Sequence, residues 1–144
     1  MDLKVVGAGS LGVRVALLWK TKFPGAKIYL KTRSDKPERS EKWRAAGFIP
    51  VSSEENVIQA DYVVFSAPPT ANPDYDKDVA HAATKEWTGK GQFVFTASGG
   101  VYSENSGGTV DEESDVKATS DRSILLLASE KVLLSSELVT LRLK

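Results

Sequence analysis

Cysteine is absent from the 144-residue chain, and histidine and methionine each occur once. The lack of cysteine excludes disulfides, thiolate chemistry and cysteine-based metal sites. The single histidine, His81, falls in a predicted helix with no metal-ligand spacing around it, so we expect a structural role for it and no metal site. Charge of one sign is also lacking, because 19 basic residues balance 19 acidic ones. This balance, without a basic patch, argues against nucleic acid or anionic lipid as a partner.

Long apolar runs are missing as well. No stretch approaches the roughly 20 residues needed to span a bilayer, and no signal or transit segment precedes the apolar run that begins at Leu3. We therefore expect a soluble protein with no membrane span, cytoplasmic by default, or located in an organelle such as a plastid if a transit peptide has been removed. The length suits one domain, residues 1–144, with one sizeable core.

Strand and helix patterns alternate along the whole chain. Predicted strands cover residues 3–6, 27–31, 48–51, 61–66, 92–96 and 138–143. Predicted helices cover residues 10–22, 38–46, 53–59, 75–87 and 123–135, with a turn at 89–91, a long loop at 97–120 and a helix cap at Ser120-Asp121. This alternation predicts an α/β fold with a doubly wound parallel sheet in three α/β/α layers and the strand order 3-2-1-4-5-6. Pro50 places the third strand near an edge.

The first strand runs directly into the glycine pattern Gly7-Ala8-Gly9-Ser10-Leu11-Gly12, which opens a helix. That context is typical of a Rossmann-type dinucleotide site. Gly7 permits a tight turn, Gly9 lets a pyrophosphate approach the backbone, and Gly12 lets the helix pack close to the sheet. The free N–H groups at the helix start, with Ser10 and Leu11, attract phosphate charge. The alternative is a plain turn in a domain that binds nothing.

The end of the second predicted strand carries Thr32, Arg33 and Ser34, with no carboxylate before Asp35. Sites that prefer NAD place an acidic residue here to bind the ribose 2′-hydroxyl. Arg33 can instead pair with a 2′-phosphate, and both hydroxyls can donate hydrogen bonds to it. The pattern therefore favours NADP(H) over NAD(H). The alternative reading makes Arg33 a solvated surface charge.

The fourth predicted strand ends at Ser66, Ala67 and Pro68. Ligands of open parallel sheets lie beyond the carboxyl ends of the strands, near the switch in strand order. Small residues at this position leave room for the ribose and the phosphate on the nicotinamide side of a cofactor. An ordinary strand-ending turn is the other interpretation.

Three segments together resemble the extended short-chain dehydrogenase/reductases, in their NAD-dependent epimerase/dehydratase branch and closer to an atypical subgroup. They are residues 6–12, 65–69 and 95–102, and the later Val110-Asp111-Glu112 also resembles a family loop. The resemblance implies that Ser98 hydrogen-bonds a substrate hydroxyl or carbonyl. It also implies a Tyr-x-x-x-Lys pair on the next helix as the acid/base machinery, and a chain that continues past the sixth strand into a substrate-binding part.

That pair is missing from this sequence. Aligning the helix through Glu130 places Arg122 and Leu126 at the Tyr and Lys positions, and counting back four from Lys131 gives Leu127. Tyr102 is a candidate replacement acid, although its family counterpart is usually a packing or substrate-side residue.

Two functions therefore remain open. The first is an NADP(H)-dependent oxidoreductase acting on a small polar or sugar-like molecule, with Ser98 and Tyr102 as catalytic candidates. The second is an inactive dinucleotide-binding scaffold, redox sensor or complex subunit, which brings a homo-oligomer or a larger protein partner into consideration.

Overall fold

A computed structural model of the protein describes residues 1–34, 36–52, 57–135 and 139–143. Within these residues, parallel strands form a single sheet in the order β3-β2-β1-β4-β5-β6. The strands are β1 Leu3–Val6, β2 Ile28–Lys31, β3 Ile49–Val51, β4 Ala60–Phe65, β5 Trp87–Ser98 and β6 Val139–Leu143. The predicted strand order is thus confirmed, and β3, which contains Pro50, lies at an edge.

Helices cover both faces of this sheet. They are α1 Ser10–Lys22, α2 Pro37–Ala45, α3 Tyr75–His81 and α4 Asp121–Leu134. Ala16 of α1 and Trp43 of α2 share one apolar cluster with Leu3 of β1, whereas Val79 of α3 and Leu126 of α4 belong to a second cluster. Two cores on opposite sides of one sheet make the predicted three-layer α/β/α architecture, which the structure confirms.

The first strand and helix have the predicted bounds, because their signals are local. Residues 3–6 are all buried, as expected for a central parallel strand. The start of α4 is equally local, since Ser120 and Ser123 form a reciprocal capping box that satisfies two otherwise free N–H groups. No helix in the described part of the chain is both long enough and apolar enough to cross a membrane.

The predicted helix over residues 53–59 is not found at 57–59, which have no regular structure, and residues 53–56 lie outside the described part. The second difference concerns the predicted helix 75–87. It breaks after α3 into a π-helix, Ala82–Glu86, and β5 begins at once with Trp87 rather than at Gln92. The Trp87 indole donates to the Asp61 carbonyl at 2.9 Å, which draws this residue into the sheet.

The predicted turn at residues 89–91 therefore lies inside β5. Gly89 and Gly91 adopt φ values of 79° and 64°, and the pairing with β4 shifts register between Ala60 and Tyr62. The extra residues bulge out of the ladder as a local irregularity of the strand. At its other end β5 extends to Ser98, so the predicted loop 97–120 starts two residues later. It contains a short 3₁₀ turn, Gly99–Val101, and an antiparallel bridge between Tyr102 and Val116.

A charged cluster lies beneath the sheet on the α3 side. Lys4, in the central strand β1, is only 1% exposed, and Glu86, at the end of the π-helix, is 2% exposed. The Lys4 ammonium contacts the Glu86 carboxylate at 2.9 Å and donates to the Ile58 carbonyl at 2.8 Å. Lys31, at the end of β2, contacts the other Glu86 oxygen at 2.5 Å. One carboxylate thereby ties β1, β2 and the π-helix together.

Burial and pairing act against each other in this cluster. Burial lowers the pKa of Lys4, and the hydrogen bond and charge of Glu86 partly offset that effect. Burial pushes the pKa of Glu86 upward, but the two ammonium groups outweigh it, so the net pKa lies below the ordinary carboxylate value. The stabilisation from ionised Glu86 is therefore present at neutral pH and is lost as the pH falls below the usual carboxylate range.

We expect Glu86→Gln to lower the free energy of unfolding by about 3–5 kcal/mol, because it leaves the buried Lys4 ammonium and the partly buried Lys31 ammonium without a counter-charge. The double substitution Lys4→Met/Glu86→Leu should recover most of this loss, since it removes the buried charges together. Urea unfolding at neutral pH measures both effects. A single variant as stable as the parent chain would show that the cluster contributes nothing.

Candidate functional site

The turn between β1 and α1 lies against the end of β4. Gly7 adopts φ 91°, and a Cβ on it would lie 2.1 Å from the Ala67 backbone nitrogen, so only glycine fits. The Ser66 hydroxyl donates to the Gly7 carbonyl at 2.9 Å. The N–H groups of Gly7 and Ala8 both donate to the Lys31 carbonyl, at 2.9 and 3.1 Å. The turn is thus fixed between the ends of β2 and β4.

The start of α1 is left open to anions. Gly9 is the N-cap, no side chain caps the helix, and no acidic residue lies in its first turn. Val13 is the first residue of α1 whose N–H makes a helical hydrogen bond, to the Gly9 carbonyl at 2.9 Å. The N–H groups of Ser10, Leu11 and Gly12 therefore have no helical partners. The dipoles of these N–H groups and the helix dipole both place positive potential in front of the start of α1.

Gly9 and Gly12 have different surroundings. A Cβ on Gly12 would lie 2.7 Å from the Val5 side chain and 3.0 Å from the Ser66 hydroxyl, so this glycine serves the packing of α1 on the sheet. A Cβ on Gly9 would meet nothing within 4 Å. The protein leaves space in front of Gly9, and the free N–H groups border that space. A diphosphate fits this arrangement.

The loop after β2 is shaped by a residue that the sequence did not single out. Arg39, in the first turns of α2, donates to the Thr32 hydroxyl at 2.8 Å and also to the Ser34 carbonyl. Thr32 itself donates to the Ser34 carbonyl at 3.0 Å. The Arg39 guanidinium lies over the Trp43 ring, 5.2 Å from its centroid. A second cation thus lies directly on the loop in which we expect the 2′-phosphate determinant.

Arg33 reaches across the site, although its side chain stays exposed. Its two terminal nitrogens donate to the Thr70 and Ala71 carbonyls, each at 3.0 Å, and Ala71 has φ 54°, a left-handed conformation that is unusual for alanine. These two bonds leave three of the five guanidinium N–H groups available to a ligand. Arg33 therefore joins the loop after β2 to the loop after β4.

A cavity of about 440 Å³ lies between these two loops. Its walls include the three residues Thr32, Arg33 and Ser34 from one side and Ala67 and Pro68 from the other. Glu86 and Lys31 of the charged cluster form part of its floor, and His81 also lines it. His81 is half exposed, with its ring nitrogen 3.7 Å from Glu86. The volume lies in the range of small-molecule sites.

A second cavity, of about 150 Å³, lies at the carboxyl ends of β4 and β5. It is lined by Ser98 and also by Arg122 and Leu126, the two residues that one register of the family resemblance places at the Tyr and Lys positions. Tyr102 is not among its lining residues. It lies beyond the 3₁₀ turn, in the bridge to Val116, so the structure does not bring the two catalytic candidates into one cavity.

Tyr75 is the tyrosine that does line this cavity, and its hydroxyl is already committed. The side chain is 1% exposed, and its hydroxyl donates to the Ala67 carbonyl at 2.8 Å. Burial raises the pKa of Tyr75 far above the usual value, and the positive charge of Arg122 offsets only part of this effect. Tyr75 is therefore a fixed hydrogen-bond donor within the cavity wall.

In the described residues, no group of His, Cys, Asp and Glu side chains could hold a metal ion.

The chain matches no protein-family model and no curated protein sequence. Its fold is similar to several solved structures. The dTDP-glucose 4,6-dehydratase from Bacillus anthracis, in complex with NAD, is 15% identical with a TM-score of 0.72, covering 99% of this chain and 53% of that one. The UDP-glucose 4-epimerase from Stenotrophomonas maltophila, with bound NAD, is 18% identical with a TM-score of 0.70, covering 100% and 52%.

A functionally unknown conserved protein from Silicibacter pomeroyi is also similar, with 20% identity and a TM-score of 0.63 over 91% of this chain and 47% of that one. The present chain thus spans about half the length of each of these proteins. At these identities the similarity establishes the fold, a Rossmann-type sheet of the kind found in NAD-dependent epimerases and dehydratases.

Proposed function

We propose that this protein binds NADP(H), with the diphosphate at the turn formed by Gly7, Gly9, Ser10, Leu11 and Gly12. The observation that carries the proposal is the empty space in front of Gly9, bordered by an uncapped helix start with no acidic residue in its first turn. A helix start of this kind attracts phosphate through its free N–H groups and its dipole. Ser66, Ala67 and Pro68 at the end of β4 face the same region and would line the nicotinamide half.

Preference for NADP(H) over NAD(H) rests on the loop after β2. Arg39 contacts Thr32 and Ser34, and Arg33 keeps three N–H groups available beside the 440 Å³ cavity. The Arg33 guanidinium on this loop, with the Arg39 guanidinium of α2 packed against it, suits a 2′-phosphate, which takes charge-assisted hydrogen bonds from guanidinium groups. The described part of this loop contains no carboxylate for a ribose 2′-hydroxyl. The dehydratase and epimerase named above carry NAD.

Bound NADP(H) would supply a hydride donor or acceptor at its nicotinamide ring. Ser98, in the cavity at the end of β5, would orient a substrate hydroxyl or carbonyl beside that ring. The proposed reaction is hydride transfer involving a small polar or sugar-like substrate. Tyr102 stays a weaker candidate because it lies outside the Ser98 cavity.

A second function is favoured by the lining of that cavity. A guanidinium and an alkyl side chain, which Arg122 and Leu126 supply, do not serve as general acids, and the Tyr75 hydroxyl is committed to a backbone carbonyl. A protein that binds the dinucleotide without turnover would act as a redox sensor, a scaffold or a subunit of a larger complex. Turnover separates this function from the first one.

We expect Gly9→Ala to raise the Kd for NADPH at least about tenfold, because the new methyl group occupies the space that the diphosphate needs. The unfolding free energy should change by less than about 1 kcal/mol, since the Cβ meets no protein atom. NADPH fluorescence titration and urea unfolding measure the two effects. Gly25→Ala, whose Cβ is also unobstructed, is the matched control. Unchanged NADPH binding in Gly9→Ala would remove the basis for the diphosphate site.

We expect Arg33→Gln to weaken NADPH binding by about 10- to 100-fold and NADH binding by much less, because both nucleotides lose the Arg33 contact with the Thr70 and Ala71 carbonyls but only the 2′-phosphate also loses a charged partner. Titrations of both nucleotides against both proteins measure the ratio. Arg14→Gln removes an exposed arginine on α1 that lines neither cavity and serves as the control. Tighter binding of NADH than of NADPH by the parent chain would reject the preference outright.

Single-turnover oxidation of bound NADPH by a panel of small carbonyl compounds tests for chemistry. If the protein is an oxidoreductase, we expect at least one compound to oxidise NADPH. We also expect Ser98→Ala to slow this step by about 10-fold or more, because it removes a group that orients the reacting carbonyl. Tight NADPH binding without oxidation, together with stable association with a larger partner, would instead support the non-catalytic function.

A further inference from the structure

The 150 Å³ cavity at the ends of β4 and β5 contains several hydroxyl groups, and most of them are already used. Ser66, Thr96 and Tyr75 each donate to a backbone carbonyl, at 2.9, 3.2 and 2.8 Å. A hydroxyl has a single hydrogen to donate, so these three groups have none left for a ligand. They provide polar walls without a free donor.

The Ser98 hydroxyl differs from the other three. Its oxygen accepts a hydrogen bond from the Gly100 N–H at 3.3 Å, and no described contact uses its hydrogen. Ser98 can therefore donate into the cavity. The Gly100 N–H also fixes the position of the oxygen at the end of β5.

Arg122 is the only charged residue that lines the cavity within the described part of the chain. In that same part, no hydrogen bond or ion pair of 4 Å or less holds its guanidinium. Its positive charge reaches the cavity interior, because it lowers the pKa of Tyr75 against the larger opposing effect of burial. Asp121, its neighbour, lines an adjacent hollow beyond Pro69 together with Arg122 but does not line this cavity.

We propose that this cavity binds the anionic oxygen atoms of a small ligand, a carboxylate or a phosphomonoester, between the Arg122 guanidinium and the Ser98 hydroxyl. Both groups are donors, no acidic side chain of the described residues lines the cavity, and a guanidinium forms short charge-assisted bonds with a carboxylate or a phosphomonoester. The inference rests on the proposed function in one respect, because it takes the ligand to be the substrate that lies beside the nicotinamide.

Arginine at this position also limits the chemistry. A guanidinium stays protonated at any physiological pH and cannot act as a general acid. Arg122 would thus hold substrate charge rather than transfer a proton.

The test is NMR titration of the ¹⁵N-labelled chain with propionate and with methyl phosphate, with propionamide as the neutral counterpart of propionate. We expect one or both anions to shift the Ser98 amide and the Arg122 side-chain Nε–H signals saturably, and propionamide to leave them in place. The anion that binds more tightly shows whether the natural ligand carries a carboxylate or a phosphomonoester. Arg122→Gln should raise the Kd at least about tenfold, as expected for the loss of a charge-assisted bond, and Arg122→Lys should restore part of the affinity.

Lys131→Gln is the matched control, because it removes one positive charge from the exposed surface of the same helix, away from the cavity. Equal shifts with propionamide, no saturable shift at either residue, or unchanged affinity in Arg122→Gln would overturn the inference. Each titration is run with and without NADPH, whose binding is followed separately by fluorescence. Anion binding without NADPH binding would reject the proposed cofactor and keep the anion site, whereas NADPH binding without anion binding would do the reverse.

Discussion

Backbone contact between the β1–α1 turn and the end of β4 is the constraint on which the rest of the site depends. Gly7 approaches Ala67 so closely that no side chain fits between them, and the Ser66 hydroxyl closes the contact by donating to Gly7. Because Gly12 then lets α1 lie directly on β1, the start of α1 faces the gap between the two central strands. The open N–H groups of the helix and the small residues that end β4 therefore border one continuous region.

The two cavities divide this region by chemical character. The larger one, between the loops after β2 and β4, is lined by charges of both signs, with Arg33 and Asp78 in its walls and Lys31 and Glu86 in its floor. Among the described residues, the smaller one, at the ends of β4 and β5, is lined by three hydroxyls that donate to the backbone, by the Ser98 hydroxyl and by the Arg122 guanidinium. In open parallel sheets, ligands occupy such positions beyond the carboxyl ends of the strands. A nucleotide in the first and a small anion in the second would share the walls Ala67 and Pro68, while Ser98 and Arg122 would hold the anion.

Local signals in the sequence were sufficient for the parts of the fold that local chemistry determines. The bounds of β1 and α1 follow from an apolar run, a glycine turn and helical periodicity, and the start of α4 follows from its Ser120 cap. The strand order follows from right-handed crossovers between alternating strands and helices. The positions of the glycine turn and of the loop after β2 also follow from local sequence signals.

Contacts between distant residues explain what the sequence did not reveal. Lys4 and Glu86 are 82 positions apart, and a lysine within an apolar strand gives no sign of its partner. The early start of β5 depends on the Trp87 indole reaching Asp61 and on two glycines that let the strand bulge. Lys31 pairs in register with Val6, which puts both residues on the same face of the sheet and beside the cavity, and alternation within each strand does not reveal this register. For Arg39, helical spacing alone did not indicate that it would reach back to Thr32.

Arg33 has a structural role in addition to the proposed one. The same guanidinium that lies beside the proposed 2′-phosphate also holds the backbone of Thr70 and Ala71, where the chain adopts a left-handed turn. Under the proposed function, cofactor selectivity and the backbone of the 70–71 segment would be coupled through one side chain. Redesign toward NAD by placing an aspartate at position 33 would release that backbone, so it would need a compensating change in the 70–71 segment, such as a glycine at Ala71 that accepts the left-handed turn without the clasp.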